Sequence, residues 1–325
     1  MLKRAGANAC RVTATGETIS GPMPHISLLL AGGDGARLRD LTREVAGVPI
    51  PKQYCRLLRG SSLLEATLAR ARRFSTRANI RVVVNRDHLG LAREQLRALP
   101  EDNIFVQPHN LDTGPGLLFS LLQIERTTPD AVVAAFPTDH YVEDDGAFIR
   151  HVRRAAAAIA LMPERIAILG VAPDRPETGY GYILPSGSAG IEDGIFNVEA
   201  FTEKPDLPAA GALIARGGLW NTFVMVFRLS RMMDLLARCA PEGFAPMLAL
   251  RDAPEKAAEV YASLRAWNFS TDFLARIPRH LLMVAVSDVG WSDWGTRESI
   301  ERTYRTLNLA PCWNLSRSVP DRVAL

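Results

Sequence analysis

Lysine is almost absent from this 325-residue chain: only Lys3, Lys52, Lys204 and Lys256 stand among its 38 basic residues. Arginine fills nearly every other place that needs positive charge. Each retained lysine therefore asks for a reason, because a compact ammonium and a planar guanidinium are different tools. Excess charge of one sign is also lacking. The 38 basic residues face 35 acidic ones, for a formal net charge of +3. That gives no argument for a nucleic-acid partner, whose surface gathers basic residues on one face. Long apolar runs are missing. Stretches such as Ile26–Ala31 and Ala131–Phe136 fall far short of the ~20 residues that cross a bilayer, which argues against a membrane partner. Cysteine is sparse: Cys10, Cys55, Cys239 and Cys312 show neither a disulfide framework nor metal-ligand spacing. A reducing, cytoplasmic setting fits. Met1–Pro24 has no apolar core of a secretory signal, and residues 1–24 read as a loose extension.

What is present is globular: 47% of residues are apolar and 22% charged. Apolar runs predict strands over His25–Ala31, Ile80–Asn85, Asn103–Val106, Ala131–Phe136 and Ile166–Val171. Helical patterns lie between them, at Ser61–Phe74, Leu89–Leu99, Gly116–Glu125 and Gly146–Met162. Such alternation means an α/β fold with a parallel sheet and helices on both faces. The rhythm then changes. Strands are expected at Gly181–Leu184, Ile195–Thr202, Thr222–Arg228 and His280–Val286, and helices at Leu207–Arg216, Ser230–Cys239 and Glu298–Leu307, with a mixed segment to about Arg276. One catalytic-sized domain with an inserted or appended substrate region is the simplest organisation.

The strongest motif is Leu28–Leu38, followed by Pro51-Lys52-Gln53-Tyr54. A strand that runs into Gly32, Gly33 and Gly35 lets backbone N–H groups approach an anion. Arg37 then offers a fixed fork for phosphate oxygens and Lys52 a point charge. No Gly-Lys-Ser/Thr follows, and Leu38 stands where a dinucleotide fingerprint needs its third glycine. In Phe136-Pro137-Thr138-Asp139-His140 a carboxylate ends an apolar strand. Ligands bind at that sheet edge, and Mg²⁺ takes one or two carboxylates; a plain cap or turn aspartate is the bland alternative. Gly179-Tyr180-Gly181 allows close backbone approach to a sugar, though a hairpin uses the same pattern. In Glu203-Lys204-Pro205 the acid accepts from sugar hydroxyls and the lysine faces a phosphate, against the reading of a solvated pair. Asn221, after Trp220, offers both donor and acceptor to a hydroxyl-rich ligand, with a turn asparagine beside a core aromatic as the bland alternative. Asp293, within Gly290–Gly295, is a candidate second metal carboxylate, or else a buried aspartate on backbone amides.

In this joint order the motifs resemble the sugar-1-phosphate nucleotidyltransferases, nearest to their mannose-1-phosphate guanylyltransferase branch, over roughly His25 to Thr296. The resemblance implies a Rossmann-like α/β/α sandwich with a mostly parallel mixed sheet and a sugar-binding subregion. It implies a catalytic domain over residues 25–300 and a C-terminal helix and tail over 301–325. It also implies Mg²⁺ and the reaction of a nucleoside triphosphate with a sugar 1-phosphate. Carried over by position, Arg37 and Lys52 grip the triphosphate and Lys204 the sugar phosphate. Leu30, Ala31, Gly32 and Gly33, with Asp112 and Thr113, bind the nucleotide. Gly179, Glu203 and Asn221 contact the sugar, and Asp139 and Asp293 hold the metal. The family's usual Arg-Asn-Thr-Ala-Pro-Ala stands here as Leu111-Asp112-Thr113-Gly114-Pro115-Gly116. That departure leaves two alternatives open: another base and sugar pair, or a non-catalytic nucleotide-sugar-binding regulator. A glycosyltransferase of related fold ranks last, for want of an Asp-x-Asp motif at Pro137–His140. The oligomeric state stays open, a homodimer included.

Overall fold

Successive residues of a strand point to opposite faces, and this period of two sorts the core into halves. The computed structural model of the chain describes residues 23–58, 60–311 and 313, together with a strand pair at 11–12 and 18–19. That pair, β1 (Arg11–Val12) and β2 (Thr18–Ile19), is antiparallel and separate from the main sheet. The remainder of the expected extension before residue 23, and residues 314–325 of the expected tail, lie outside the described residues.

The main sheet contains β3 (His25–Ala31), β4 (Ile80–Asn85), β5 (Ile104–Gln107), β6 (Val132–Pro137), β7 (Ile166–Val171), β8 (Gly181–Ser188), β9 (Ile195–Glu203), β10 (Leu219–Arg228) and β11 (Leu281–Val286). The helices that matter here are α1 (Arg39–Ala46), α2 (Leu63–Ala71), α3 (Leu89–Leu96), α4 (Thr113–Thr127), α5 (Asp145–Leu161), α6 (Leu207–Ala215) and α7 (Leu229–Cys239). On β3, Ile26 and Leu28 pack in a cluster with α4 and α7. Leu29 and Ala31 join the cluster formed by α2, α3 and α5. Val132 and Val133 of β6 divide between the clusters in the same way. The result is a sheet covered by helices on both faces.

Strand order is β5-β4-β3-β6-β10-β7-β11-β9-β8. β5, β4, β3 and β6 run parallel. β10 enters antiparallel between β6 and β7. β11 is parallel to β7, and β9 and β8 continue as antiparallel neighbours. Sequence order alone does not place β10 in the middle. Its run Val224–Phe227, buried throughout, explains the position: a strand apolar on both faces belongs inside a sheet. The strand begins at Leu219 rather than at Thr222, and a register shift between Asn221 and Met225 breaks its pairing with β7.

Helix α4 begins at Thr113, one turn before the expected Gly116, because Asp112 caps it and Pro115 fits a first turn, where an N–H is not needed. The mixed segment folds into short helices at Pro241–Phe244, Ala257–Ser263 and Phe269–Asp272. A further helix, Arg297–Thr306, buries Ile300 and Tyr304 with Leu38, Leu41 and Trp294 in a satellite core. Among the described residues no helix is long and apolar enough to cross a membrane.

Because β3 to β6 are parallel, Gly32, Asn85, Gln107 and Thr138 all follow or close strands at one edge of the sheet. Between β3 and β6 the strand order reverses direction, and such switch points are where α/β sheets bind ligands.

Candidate active site

At that edge lies a cavity of about 320 Å³. Leu30, Gly32 and Gly33 line it, while Ala31 turns into the core. The glycine loop is braced from below: Gln53 donates to the Ala31 and Gly33 carbonyls at 3.3 and 2.7 Å, and the Tyr54 hydroxyl to Ala31 at 3.1 Å. Gly35 has φ +58°, and a Cβ there would stand 2.8 Å from Pro51 Cα. No other residue lets the loop and the Pro51–Tyr54 segment approach so closely without strain. Arg37 is exposed on the cavity wall, with no ion-pair partner among the described residues.

The acidic centre is built from chain segments far apart in sequence. Asp139 follows β6 and Asp293 follows β11. A backbone bridge between Tyr141 and Ser292 ties the two segments together at 2.8 and 3.1 Å. Asp139, His140 and Asp293 each offer one ligand atom within 4.8 Å of the others. Lys52 is buried beneath them rather than on the cavity wall. Its Nζ lies 3.3 Å from Asp139 and 3.5 Å from Asp293, and donates to the carbonyls of Asp293 and Trp294 at 2.7 and 2.9 Å. A lysine, not an arginine, fits here: three donors radiate from one point toward convergent oxygens. Burial pushes the Asp139 carboxyl up, but Lys52 and then His140 outweigh it, and its pKa lies below the ordinary value. His140 moves down, chiefly through burial, although Asp139 and Asp293 oppose the shift. Its Nε2 lies 3.7 and 3.8 Å from the two carboxylates, and its ring meets Trp291 edge to face.

Gly179, Glu203, Lys204 and Asn221 line the opposite wall. Gly181 pairs with Glu203 across β8 and β9, which carries the acid to the cavity. Lys204 adopts φ +46° and donates its backbone N–H to the Tyr180 carbonyl at 3.1 Å. Its ammonium lies 3.1 Å from Glu203 and is half exposed. Asn221 is buried at the bulge of β10, where its Oδ1 accepts from the Phe223 N–H at 3.0 Å.

Asp112 and Thr113 stand at the start of α4. Asp112 Oδ1 accepts from Thr113 N–H at 2.6 Å and from Asn268 Nδ2 at 3.1 Å. Thr113 Oγ1 accepts from Phe269 N–H at 2.9 Å. Trp267 fills the space that the family's alanine would occupy. A Cβ on Gly114 would fall 2.2 Å from the Trp267 ring. Gly114→Ala is therefore expected to cost about 1–3 kcal/mol of stability, as overpacking does. Urea unfolding checks it; an unchanged variant would contradict the packing.

Sequence reasoning gave no role to a polar network beside this segment. Asn85 donates to Asp34 at 2.9 Å, Asn110 donates to Asp34 at 3.0 Å, and Gln107 donates to Asn85. The Tyr261 hydroxyl donates to Gln107 at 3.3 Å and lies 3.2 Å from the Pro115 carbonyl. A signal was present: Asn85 and Gln107 each close an apolar strand at the same sheet edge. Backbone strain was not readable. Asp112, Lys204, Phe223 and Trp294 adopt positive φ, and all four are in the cavity wall or next to Asp293. Strain of this kind gathers at functional sites.

A model described as nucleotidyl transferase matches residues 26–308. The chain is 34% identical over 292 residues to the xanthan biosynthesis protein XanB of Xanthomonas campestris pv. campestris (strain ATCC 33913), covering 85% of this chain and 58% of that protein. It is 31% identical over 296 residues to mannose-1-phosphate guanylyltransferase of Escherichia coli (strain K12), covering 84% and 58%. A crystal structure described as mannose-1-phosphate geranyltransferase from Thermus thermophilus superposes with a TM-score of 0.77 at 29% identity, covering 87% of this chain and 79% of that one. The chain thus spans less than two thirds of the length of these curated relatives. With the family match running through most of the described fold and every element of the cavity, the chain belongs to the nucleotidyl transferase family.

Proposed function

We propose that this chain transfers a nucleotidyl group from a nucleoside triphosphate, GTP, to a sugar 1-phosphate, mannose 1-phosphate, with release of pyrophosphate. The observation that carries this reading is the convergence of Asp139 and Asp293 in one cavity, with Arg37 on one wall and the Glu203–Lys204 pair on another. Relatives named for mannose 1-phosphate support the choice of sugar and base.

The reaction needs little from a general base. A phosphate monoester is already largely dianionic at neutral pH, so a phosphate oxygen of the sugar attacks the α-phosphorus as it stands. One P–O bond forms there, and the bond to the β-phosphate oxygen breaks. Catalysis reduces to holding two polyanions in line and offsetting charge on the leaving group. The Gly32–Gly35 loop and Arg37 receive the triphosphate. Lys204 meets the sugar phosphate from the far wall, while Glu203, Asn221 and the Gly179 backbone receive sugar hydroxyls. Lys52 sets the spacing of the two carboxylates from below.

The donor set fits Mg²⁺. Two carboxylates are hard oxygen ligands, the kind this ion prefers, and each offers an atom within 4.8 Å of the other. Asp139 and Asp293 would hold it, with His140 beside them. When bound, the ion supplies Lewis-acid stabilisation of phosphoryl oxygens.

A panel of nucleoside triphosphates against several sugar 1-phosphates with Mg²⁺, read as pyrophosphate release, tests the proposal. GTP with mannose 1-phosphate should be fastest. A faster pair would reassign the specificity, and nucleotide-sugar binding without pyrophosphate would make the chain a binding protein. Lys204→Arg is expected to lose at least about tenfold in kcat/KM for the sugar 1-phosphate, because the longer planar fork cannot replace the ammonium beside Glu203. The same change at exposed Lys256 should cost nothing; equal behaviour of the two variants would sink the idea.

A further inference from the structure

A second cavity, of about 350 Å³, shares Tyr180 and Trp291 with the first as a common wall. Alternation along the bridged segments explains the division. His140 and Asp293 face the first cavity, whereas their neighbours Tyr141 and Ser292 face the second. An occupant of the second cavity thus touches the other side of the two segments that carry the acidic centre. Its volume lies in the range of small-molecule sites.

The far wall is the helix Arg297–Thr306, which presents Arg302 and Arg305. They lie three residues apart, so they share a helix face and repel each other. Neither guanidinium has a hydrogen bond or an ion pair within 4.0 Å among the described residues, although Glu298, four residues before Arg302, attracts it. Arg297 on the same helix, by contrast, is paired with Glu44 and Glu301 at 3.0 and 3.2 Å. Two unpaired guanidiniums on a cavity wall suit a phosphate. The remaining lining argues against a bare anion. Glu143 and Asp174 also line the cavity, and Asp174 is held by Arg175 at 2.7 Å, whose guanidinium lies 5.2 Å from the Trp220 ring centroid. Glu143 repels a free phosphate but accepts hydrogen bonds from hydroxyl groups. Trp220 and Trp291 add an apolar aromatic wall against which the carbon face of a sugar ring packs.

We propose that the second cavity binds a phosphorylated monosaccharide, with its phosphate between Arg302 and Arg305, its hydroxyls on Glu143 and its ring against Trp220 and Trp291. The assignment does not depend on the catalytic reading, because binding is measured without turnover.

The test titrates the tryptophan fluorescence of the full chain with a hexose 6-phosphate and with inorganic phosphate. A hexose 6-phosphate has no anomeric phosphate, so it is not the substrate proposed for the catalytic cavity. The expected result is a saturable change, at least about tenfold tighter for the hexose 6-phosphate than for the inorganic ion. It persists with GTP in saturating amount and in Asp139→Asn. It weakens at least about tenfold in Arg302→Ala/Arg305→Ala, a variant that still binds GTP as the parent does. The single change Arg305→Ala, at an exposed residue, weakens it as well. Absence of a saturable change, abolition by GTP, or indifference to the arginine variants would overturn the site. Equal affinity for the two probes would overturn its assignment to a sugar phosphate.

Discussion

Replacing either Asp139 or Asp293 by asparagine is expected to lower kcat at least about 100-fold in a protein that still folds. The amide keeps the size of the side chain and its hydrogen-bonding oxygen, but it removes one of the two negative charges that would hold a divalent ion. The fold is protected by the way Lys52 is held. Two of its contacts go to the carbonyls of Asp293 and Trp294, which neither substitution removes, and one carboxylate always remains beside it. Turnover is read as pyrophosphate release at saturating GTP, mannose 1-phosphate and Mg²⁺, and folding as the thermal midpoint. Near-normal rates in saturating Mg²⁺ would contradict the metal assignment. A collapse of the thermal midpoint would instead mean that the pair is chiefly structural.

Much of the fold was legible because its parallel half is built from local signals. The ranges His25–Ala31, Ile80–Asn85 and Ile166–Val171 are strands with the expected ends, each an apolar run bounded by turn or helix signals. The antiparallel half was legible as elements but not as topology. Nothing local says that β10 crosses back to lie between β6 and β7, since that depends on which buried faces find each other at long range. The site followed the same division. Asp139 and Asp293 were readable as strand-end carboxylates, yet their meeting rests on the Tyr141–Ser292 bridge, a contact across some 150 residues. Lys52 was singled out by its rarity and its motif. Its burial was hidden, because a loop lysine ordinarily snorkels to solvent. The Leu111–Gly116 departure became intelligible only with its partner. Gly114 makes room for Trp267, and single-sequence spacing does not relate two positions so far apart.

Replacing the buried lysine should have the second large effect, and that effect should depend on pH. Lys52→Met leaves two carboxylates facing each other and strips the Asp293 and Trp294 carbonyls of their donor. Removing one partner of a buried ionic cluster costs about 3–5 kcal/mol, which urea unfolding of metal-free protein at pH 7 should show. In the parent protein the folded Asp139 pKa is depressed, because Lys52 and His140 outweigh burial. A depressed carboxyl contributes stability above its unfolded pKa of about 3.9 and loses it as the pH falls through the lower, folded value. Without Lys52 the Asp139 and Asp293 carboxylates, with ligand atoms within 4.8 Å of one another, repel each other when both are ionised. Protonation of one of them as the pH falls relieves that repulsion and so recovers part of the loss. The gap between parent and variant should therefore be widest at neutral pH and narrow toward pH 4. It should not close, because the two carbonyls stay unpaired at every pH. A loss of equal size at pH 7 and pH 4 would show that Lys52 acts through its hydrogen bonds and packing alone, and would remove the charge-spacing role from the mechanism.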